Sequence, residues 1–214
     1  MRSMAWGITP QQQLCYSRVM GAIVVIAASA GGLQPLRRII VGLPIPCTAS
    51  VFVVMHIGRR HTDLPSLLAR DNLLHATFAQ DGRLIESGHI YVAPPDYHMS
   101  LQPSKIRLSH GPKVNYTRPA ADPLFVSAAK SYGEWVIGVV LSGAGRDGAT
   151  GLRTIKEHGG TALVQRPDDA AVPDMPFAAI AAVHPDACLP VEELMQLVGS
   201  LCSRYRTLPS LFHH

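Results

Sequence analysis

The sequence predicts an α/β protein: a mainly parallel sheet with helices on both faces, doubly wound and Rossmann-like, plus antiparallel hairpins in the middle of the chain. Three observations carry this. Strand-like apolar runs alternate with stretches of helical periodicity. The strands at 23–27, 50–55 (apolar from Val51) and 136–141 read as near-continuous apolar runs rather than alternating ones, as strands covered on both faces must. Glycine-rich turns follow two of these runs, at Gly31-Gly32 and at Gly143 to Gly151, and open the helices that come next.

Residues 1–20 show no period and read as a mobile leader. Residues 21–204 form the expected domain and 205–214 a tail. Ile23 to Gly32 (IVVIAASAGG) reads as a buried strand running into a tight turn at Ser29. Leu33, Leu36 and Ile40 then mark a helix starting near Gly31, because Pro35 is tolerated only in a first turn. Ser50 to Met55 is a second buried strand, rich in β-branched residues and ending at His56. Thr62 is placed to cap a short helix with Leu64, Leu67 and Leu68 inward.

Between Gly82 and Leu108 the pattern changes. Short runs at 83–85, 89–92, 99–101 and 106–108 lie between turn residues and suggest antiparallel hairpins attached to the main sheet. Asp122-Pro123 is placed to open a helix, as N-cap and first position, running to Tyr132 with Gly133 as its stop. Val136 to Leu141 is a third core strand. A helix follows Asp147-Gly148, with Leu152 and Ile155 inward. Thr161 to Gln165 is the next strand, 167–176 reads as a loop, and an amphipathic helix begins near Pro190.

Composition narrows the function classes. The 214 residues are 47% hydrophobic and 16% charged, which is globular rather than disordered. No apolar run approaches the length of a membrane span, so no membrane insertion is expected. Cys15, Cys47, Cys188 and Cys202 lack any C-x-x-C spacing, so neither a metal site nor a disulfide framework is expected. The formal charge of +4 is mild and scattered, which argues against nucleic acid. Arg59-Arg60-His61 is the one local basic cluster, either a solvated loop or a contact for an acidic partner.

Ser29, His56 and Asp147 each sit at the carboxyl end of a predicted strand, where open parallel sheets bind ligands. They supply a nucleophile, a base and a carboxylate. The turns Ala30-Gly31-Gly32 and Gly143-Ala144-Gly145 offer backbone N–H groups for an oxyanion, often worth about 3 kcal/mol per donor. Simpler roles compete: Ser29 as an N-cap, His56 as a structural histidine, and Asp147 as the cap of the helix at Gly148. His89 and His98 are alternative bases. Arg18 with the apolar run 19–28 and Ala28-Ser29-Ala30 imitates a secretory signal, although the leader is long for one. Gly143, Gly145 and Gly148 spell G-x-G-x-x-G, with Asp168 20 residues further on, as in dinucleotide sites. Asp147 inside that turn would repel a pyrophosphate.

Taken together, the motifs AASAGG around Ser29, Met55-His56, GHIYVAPPDYHM at 88–99, NYTRPAADPLF at 115–125 and LSGAGRDGATG at 141–151 resemble the catalytic domain of CheB-type chemotaxis methylesterases. The resemblance runs from about Ile23 to Val198 and overturns the signal-peptide and dinucleotide readings. It implies a Ser29–His56–Asp147 triad that hydrolyses glutamate methyl esters on chemoreceptor signalling helices, releasing methanol, with glutamine deamidation as a second activity. It implies no cofactor and a cytoplasmic setting. The partners it implies are methylated receptor helices and a cognate receptor methyltransferase. Ala30, Gly31, Ala144, Gly145 and His98 are the candidates for the oxyanion or substrate pocket. The chain departs from the usual pattern at Ala27, Met55, Ala30 and Ala144, where relatives carry Gly, Gln, Thr and Met. A pocket altered there leaves a receptor-docking module with weak or no turnover as the alternative function. Relatives carry a receiver domain before this one, for which residues 1–20 are too few.

Overall fold

The computed structural model describes residues 21–56, 63–70 and 74–206. The leader at 1–20, Cys15, Arg59-Arg60-His61, Thr62 and residues 207–214 lie outside the described residues. The elements in order are β1 (Ile23–Ala28), α1 (Leu33–Val41), β2 (Ser50–Met55), α2 (Leu64–Arg70), β3 (His75–Phe78), β4 (His89–Val92), β5 (His98–Gln102) and β6 (Lys105–Ser109). Then follow α3 (Ala121–Tyr132), a 3-10 turn at Gly133–Trp135, β7 (Val136–Val140), α4 (Ala149–Glu157), β8 (Thr161–Gln165), α5 (Asp174–Ala182), β9 (Ala187–Leu189) and α6 (Val191–Arg206).

Seven strands form one sheet in the order β3-β4-β2-β1-β7-β8-β9, and every pairing in it is parallel. β1 is central, and all six of its residues are buried. Its side chains alternate between two cores. Ile23, Val25 and Ala27 face α3 and α4, together with Phe52, Tyr91, Phe125, Leu152 and the β5–β6 hairpin. Val24, Ile26 and Ala28 face α1, α2 and α6 through Leu36, Ile40, Leu64, Leu68, Leu194 and Val198. Two cores on opposite faces explain why the strands read as unbroken apolar runs. Each large side chain buried this way contributes about 1.5–3 kcal/mol.

The expected class holds, and several local expectations do not. Residues 89–92 are not part of a hairpin but a fully buried parallel strand, β4, between β2 and β3. Residues 83–85 form no strand; Leu84 makes a single antiparallel bridge to Lys105. One true hairpin, β5–β6, remains, and it forms its own two-stranded sheet. β3 (HATF) carries no apolar run, because it is an edge strand bonded only to β4. The 167–176 loop ends early, since α5 begins at Asp174. Pro176 falls in its first turn, where a missing N–H costs no helical bond. β9 has only three residues and exists through its pairing with β8. α6 continues to Arg206, past the expected boundary at 204. At α2 the Asp63 carboxylate accepts the Ser66 N–H at 3.3 Å and so caps the helix.

α3 also starts two residues earlier than expected, with Ala120 as N-cap. Asp122 therefore does not cap its own helix. Its carboxylate instead accepts the Gly151 N–H of α4 at 2.7 Å, which ties the two helix starts together.

Candidate active site

After β1 the chain passes to β2 on one side of the sheet, and after β7 it passes to β8 on the other. The crevice of this topological switch lies between the carboxyl ends of β1 and β7. Ser29 follows β1 and Ser142 lies just beyond β7. The Ser29 N–H donates to the Ser142 carbonyl at 3.0 Å, and the Gly32 N–H donates to the Ser29 carbonyl at 2.9 Å, closing the turn. Gly31 sits in that turn at φ +73°, a left-handed conformation that favours glycine.

His56 is brought to Ser29 by strand register. Ala28 pairs with Met55, so the next residues, Ser29 and His56, leave adjacent strands side by side, with backbones about 5 Å apart. The His56 N–H holds this register by donating to the Ala28 carbonyl at 3.0 Å. His56 Nε2 meets Asp147 Oδ2 at 2.9 Å. Nδ1 is therefore the ring nitrogen left over for a hydroxyl. Among the described residues no hydrogen bond joins the Ser29 hydroxyl to His56.

Asp147 is 2% exposed and serves two groups at once. One is His56. The other is the amino end of α3, whose Ala121 and Asp122 N–H groups donate to Oδ2 and Oδ1 at 2.5 and 3.2 Å. Asp147 thus caps a helix, but α3 rather than the α4 expected from the sequence. Asn115 Nδ2 donates to Asp147 Oδ1 at 3.0 Å and to Asp122 Oδ2 at 2.8 Å, bridging two buried carboxylates. Burial, the largest single influence on Asp147, pushes its carboxyl up; the bonds from His56, Ala121 and Asn115 outweigh it and hold the group below the usual carboxylate range. Asp122 goes the other way. Burial raises it, the Gly151 N–H opposes that, and the Asp147 charge beside it raises it further.

Ser142 shapes the serine turn from below. Its hydroxyl donates to the Ala30 carbonyl at 2.9 Å and accepts the Val172 N–H at 3.0 Å. Its own N–H donates to Gln165 Oε1 at 2.8 Å. Ser142→Ala removes the partner of the half-buried Val172 N–H and of the Ala30 carbonyl, so it is expected to destabilise the fold by about 0.5–1.5 kcal/mol in urea unfolding. Activity of that variant should fall with the loosened Ser29 turn. Gly143 is required for a different reason: a Cβ there would lie 2.2 Å from Met175 Sδ and 2.6 Å from Ser29 Cβ. Gly143→Ala is expected to displace Ser29 and cost about 1–3 kcal/mol of stability by overpacking.

The remaining candidates divide. The Ala30 and Gly31 N–H groups have no backbone partner among the described residues. The Gly143 N–H is taken by the Val172 carbonyl at 2.9 Å, and the Gly145 N–H faces Asp174 Oδ2 at 3.5 Å. Ala144 is exposed on that loop. His98 lies on β5 with Nε2 at 3.0 Å from the Pro112 carbonyl, and none of its hydrogen bonds reaches His56 or Asp147. His89 opens β4 at the opposite end of the sheet, bonded to Thr77 Oγ1 at 2.9 Å. Asp168 pairs with Arg166 on the surface, so no ribose-binding acid stands at a strand end. Cys47, Cys188 and Cys202 are free thiols, and the described residues contain no His/Cys/Asp/Glu group able to hold a metal. A cleft of about 380 Å³ opens beside Asp147, lined by Asn115, Arg146, Ala149, Thr150 and alanines of α5. Asn115 and Asp122 are the functional candidates that sequence reasoning missed as site residues. Their shared N-Y-T-R-P-A-A-D stretch was the available signal.

A doubly wound α/β domain with a serine and an imidazole at its strand ends, and a buried carboxylate in the loop after β7, defines a class, the candidate serine hydrolases. The sequence model of the CheB methylesterase family matches residues 24–198. The chain belongs to the CheB methylesterase family. It is 40% identical over 183 residues to a protein-glutamate methylesterase/protein-glutamine glutaminase 2 of Caulobacter vibrioides, covering 83% of this chain and 53% of that one. It is 39% identical over 176 residues to a putative protein-glutamate methylesterase/protein-glutamine glutaminase of Leptospira interrogans, covering 81% of this chain and 91% of that one. The chain thus spans about half the length of the first relative and most of the second. The crystal structure of the Thermotoga maritima CheB methylesterase catalytic domain superposes with a TM-score of 0.80 at 33% identity, covering 85% of this chain and 98% of that one.

Proposed function

We propose that this protein hydrolyses glutamate 5-O-methyl esters on methyl-accepting chemoreceptors, with glutamine deamidation as a second reaction, and that Ser29, His56 and Asp147 perform it. The observation that carries the reading is the register of β1 and β2, which sets Ser29 beside a histidine already bonded to a buried, ionised Asp147. His56 Nδ1 takes the hydroxyl proton as Ser29 Oγ attacks the ester carbonyl. The Ala30 and Gly31 N–H groups are the donors proposed for the oxyanion. The tetrahedral intermediate collapses, His56 returns the proton to the methoxide, and methanol leaves. Water then attacks the acyl-serine with His56 again as base, and the glutamate is released. Deamidation follows the same course with ammonia leaving. Asp147 stays ionised throughout and stabilises the imidazolium.

The cleft beside Asp147 receives the receptor segment that flanks the ester. Arg146 lines it, exposed and without an ion pair among the described residues. No helix among the described residues is long and apolar enough to cross a membrane. The protein acts from the cytoplasm on receptor signalling helices, and a cognate receptor methyltransferase is its proposed counterpart.

The test is methanol release from a methylated receptor fragment, together with labelling by a fluorophosphonate. Release with the label on Ser29 supports the reading. Release with the label on another residue refutes the assignment of Ser29, and no release on this substrate refutes the proposed activity.

A further inference from the structure

Asn115 lines the cleft, but the chemical steps above give its amide no part. It and Tyr116 occupy a two-residue turn closed by reciprocal hydrogen bonds between Val114 and Thr117, at 3.2 and 2.9 Å. Both residues are left-handed, with φ of 49° and 62°. That turn favours Asn first and Gly second, so a tyrosine in the second place holds strained backbone. Tyr116 is 95% exposed and has no packing that would account for the strain. What the turn achieves is the placement of the Asn115 amide, which points its two hydrogens at two different carboxylates.

We propose that Asn115 is a positioning residue whose bridging amide lets Asp122 and Asp147 lie side by side while Asp147 remains a carboxylate aimed at His56. The proposal rests on the triad reading for its consequence in catalysis, but its electrostatic core stands on the geometry alone. Two adjacent carboxylates repel, and the one that binds a proton loses its grip on its partner. The titratable groups facing Asp147 are His56, from the end of β2, and Asp122, from α3. The other contacts are N–H donors from Ala121, Asp122 and Asn115. Asp122 in turn is faced by Asn115 and by the Gly148 and Gly151 N–H groups at the start of α4. Among the described residues only the Asn115 side chain hydrogen-bonds to both carboxylates.

The experiment compares wild type, Asn115→Ala, Asp122→Asn and the double variant by two measurements: methanol release, and the pH titration of the Asp147 carboxyl carbon followed by carbon NMR. Asn115→Ala is expected to lower kcat about ten- to hundredfold, the loss expected for a hydrogen bond to a charged group, with a smaller change in KM from its place in the cleft wall. It is also expected to move the Asp147 titration to higher pH. Adding Asp122→Asn removes the repelling charge. The double variant should therefore recover much of kcat near neutral pH, where both carboxylates are charged in wild type, while its Asp147 titration stays raised, because Asp122 with its raised carboxyl is already protonated where Asp147 titrates. A residue that merely braces the loop predicts additive losses and no movement of the titration, and that result overturns the proposal. If wild type releases no methanol, the esterase reading fails by itself, while the titrations of the four proteins still decide the role of Asn115.

Discussion

Ser29→Ala is expected to lower methanol release from a methylated receptor fragment by about 10⁴- to 10⁶-fold, with stability unchanged within about 0.5 kcal/mol. The size of the first effect follows from the role: without the hydroxyl there is no acyl-enzyme, and His56 has no proton to take. The smallness of the second follows from the structure. Among the described residues the Ser29 hydroxyl takes part in no hydrogen bond, and the turn is held by the Ser29 backbone, the Gly32 N–H and Ser142. Chemical denaturation and initial rates on the same preparations separate the two. A variant as active as wild type would remove Ser29 from the chemistry. A variant that unfolds early would mean that the hydroxyl has a structural partner after all.

Asp147→Asn is expected to damage both rate and fold. The rate should fall by about 10³- to 10⁴-fold, because an amide cannot stabilise the imidazolium and can present His56 with the wrong tautomer. Stability should fall by about 2–4 kcal/mol near neutral pH, because the carboxylate satisfies two N–H groups at the start of α3 as well as Asn115 and His56. The pH dependence has a definite sign. The folded-state pKa of Asp147 is depressed, so its contribution is complete above the ordinary carboxylate value and is lost as pH falls through the lower folded value. Asp122 is raised, so its contribution is present below the ordinary value and is lost as pH rises through the folded one. The stability gap between wild type and Asp147→Asn should therefore narrow on going from neutral pH to about pH 3. A gap that stays constant would show that shape, rather than charge, sets the cost.

Much of the site was legible in the chain because strand ends are. A continuous apolar run announces a two-sided strand, and the polar residue that ends it must emerge at the sheet edge. This places Ser29 and His56 without any tertiary information, and the all-parallel sheet puts them on one edge. Asp147 was visible as an acid in a glycine turn, but its partner was not. Local spacing suggested the helix at Gly148, whereas the bonds run to α3, 25 and 26 residues earlier.

The sequence by itself determined the class of fold, the strand-end positions of Ser29 and His56 and the family, because each depends on short-range pattern: burial period, turn glycines and motif strings. Tertiary structure alone decided which strands are neighbours, that β4 is a buried strand rather than half of a hairpin, and that α5 begins inside a proline-rich stretch. It also decided the Asn115–Asp122–Asp147 cluster, whose members are 7 to 32 residues apart. The physical reason is common to all of these. A hydrogen bond or a strand pairing between distant segments leaves no periodicity in either one, and becomes a property of the protein only when the sheet brings the segments together.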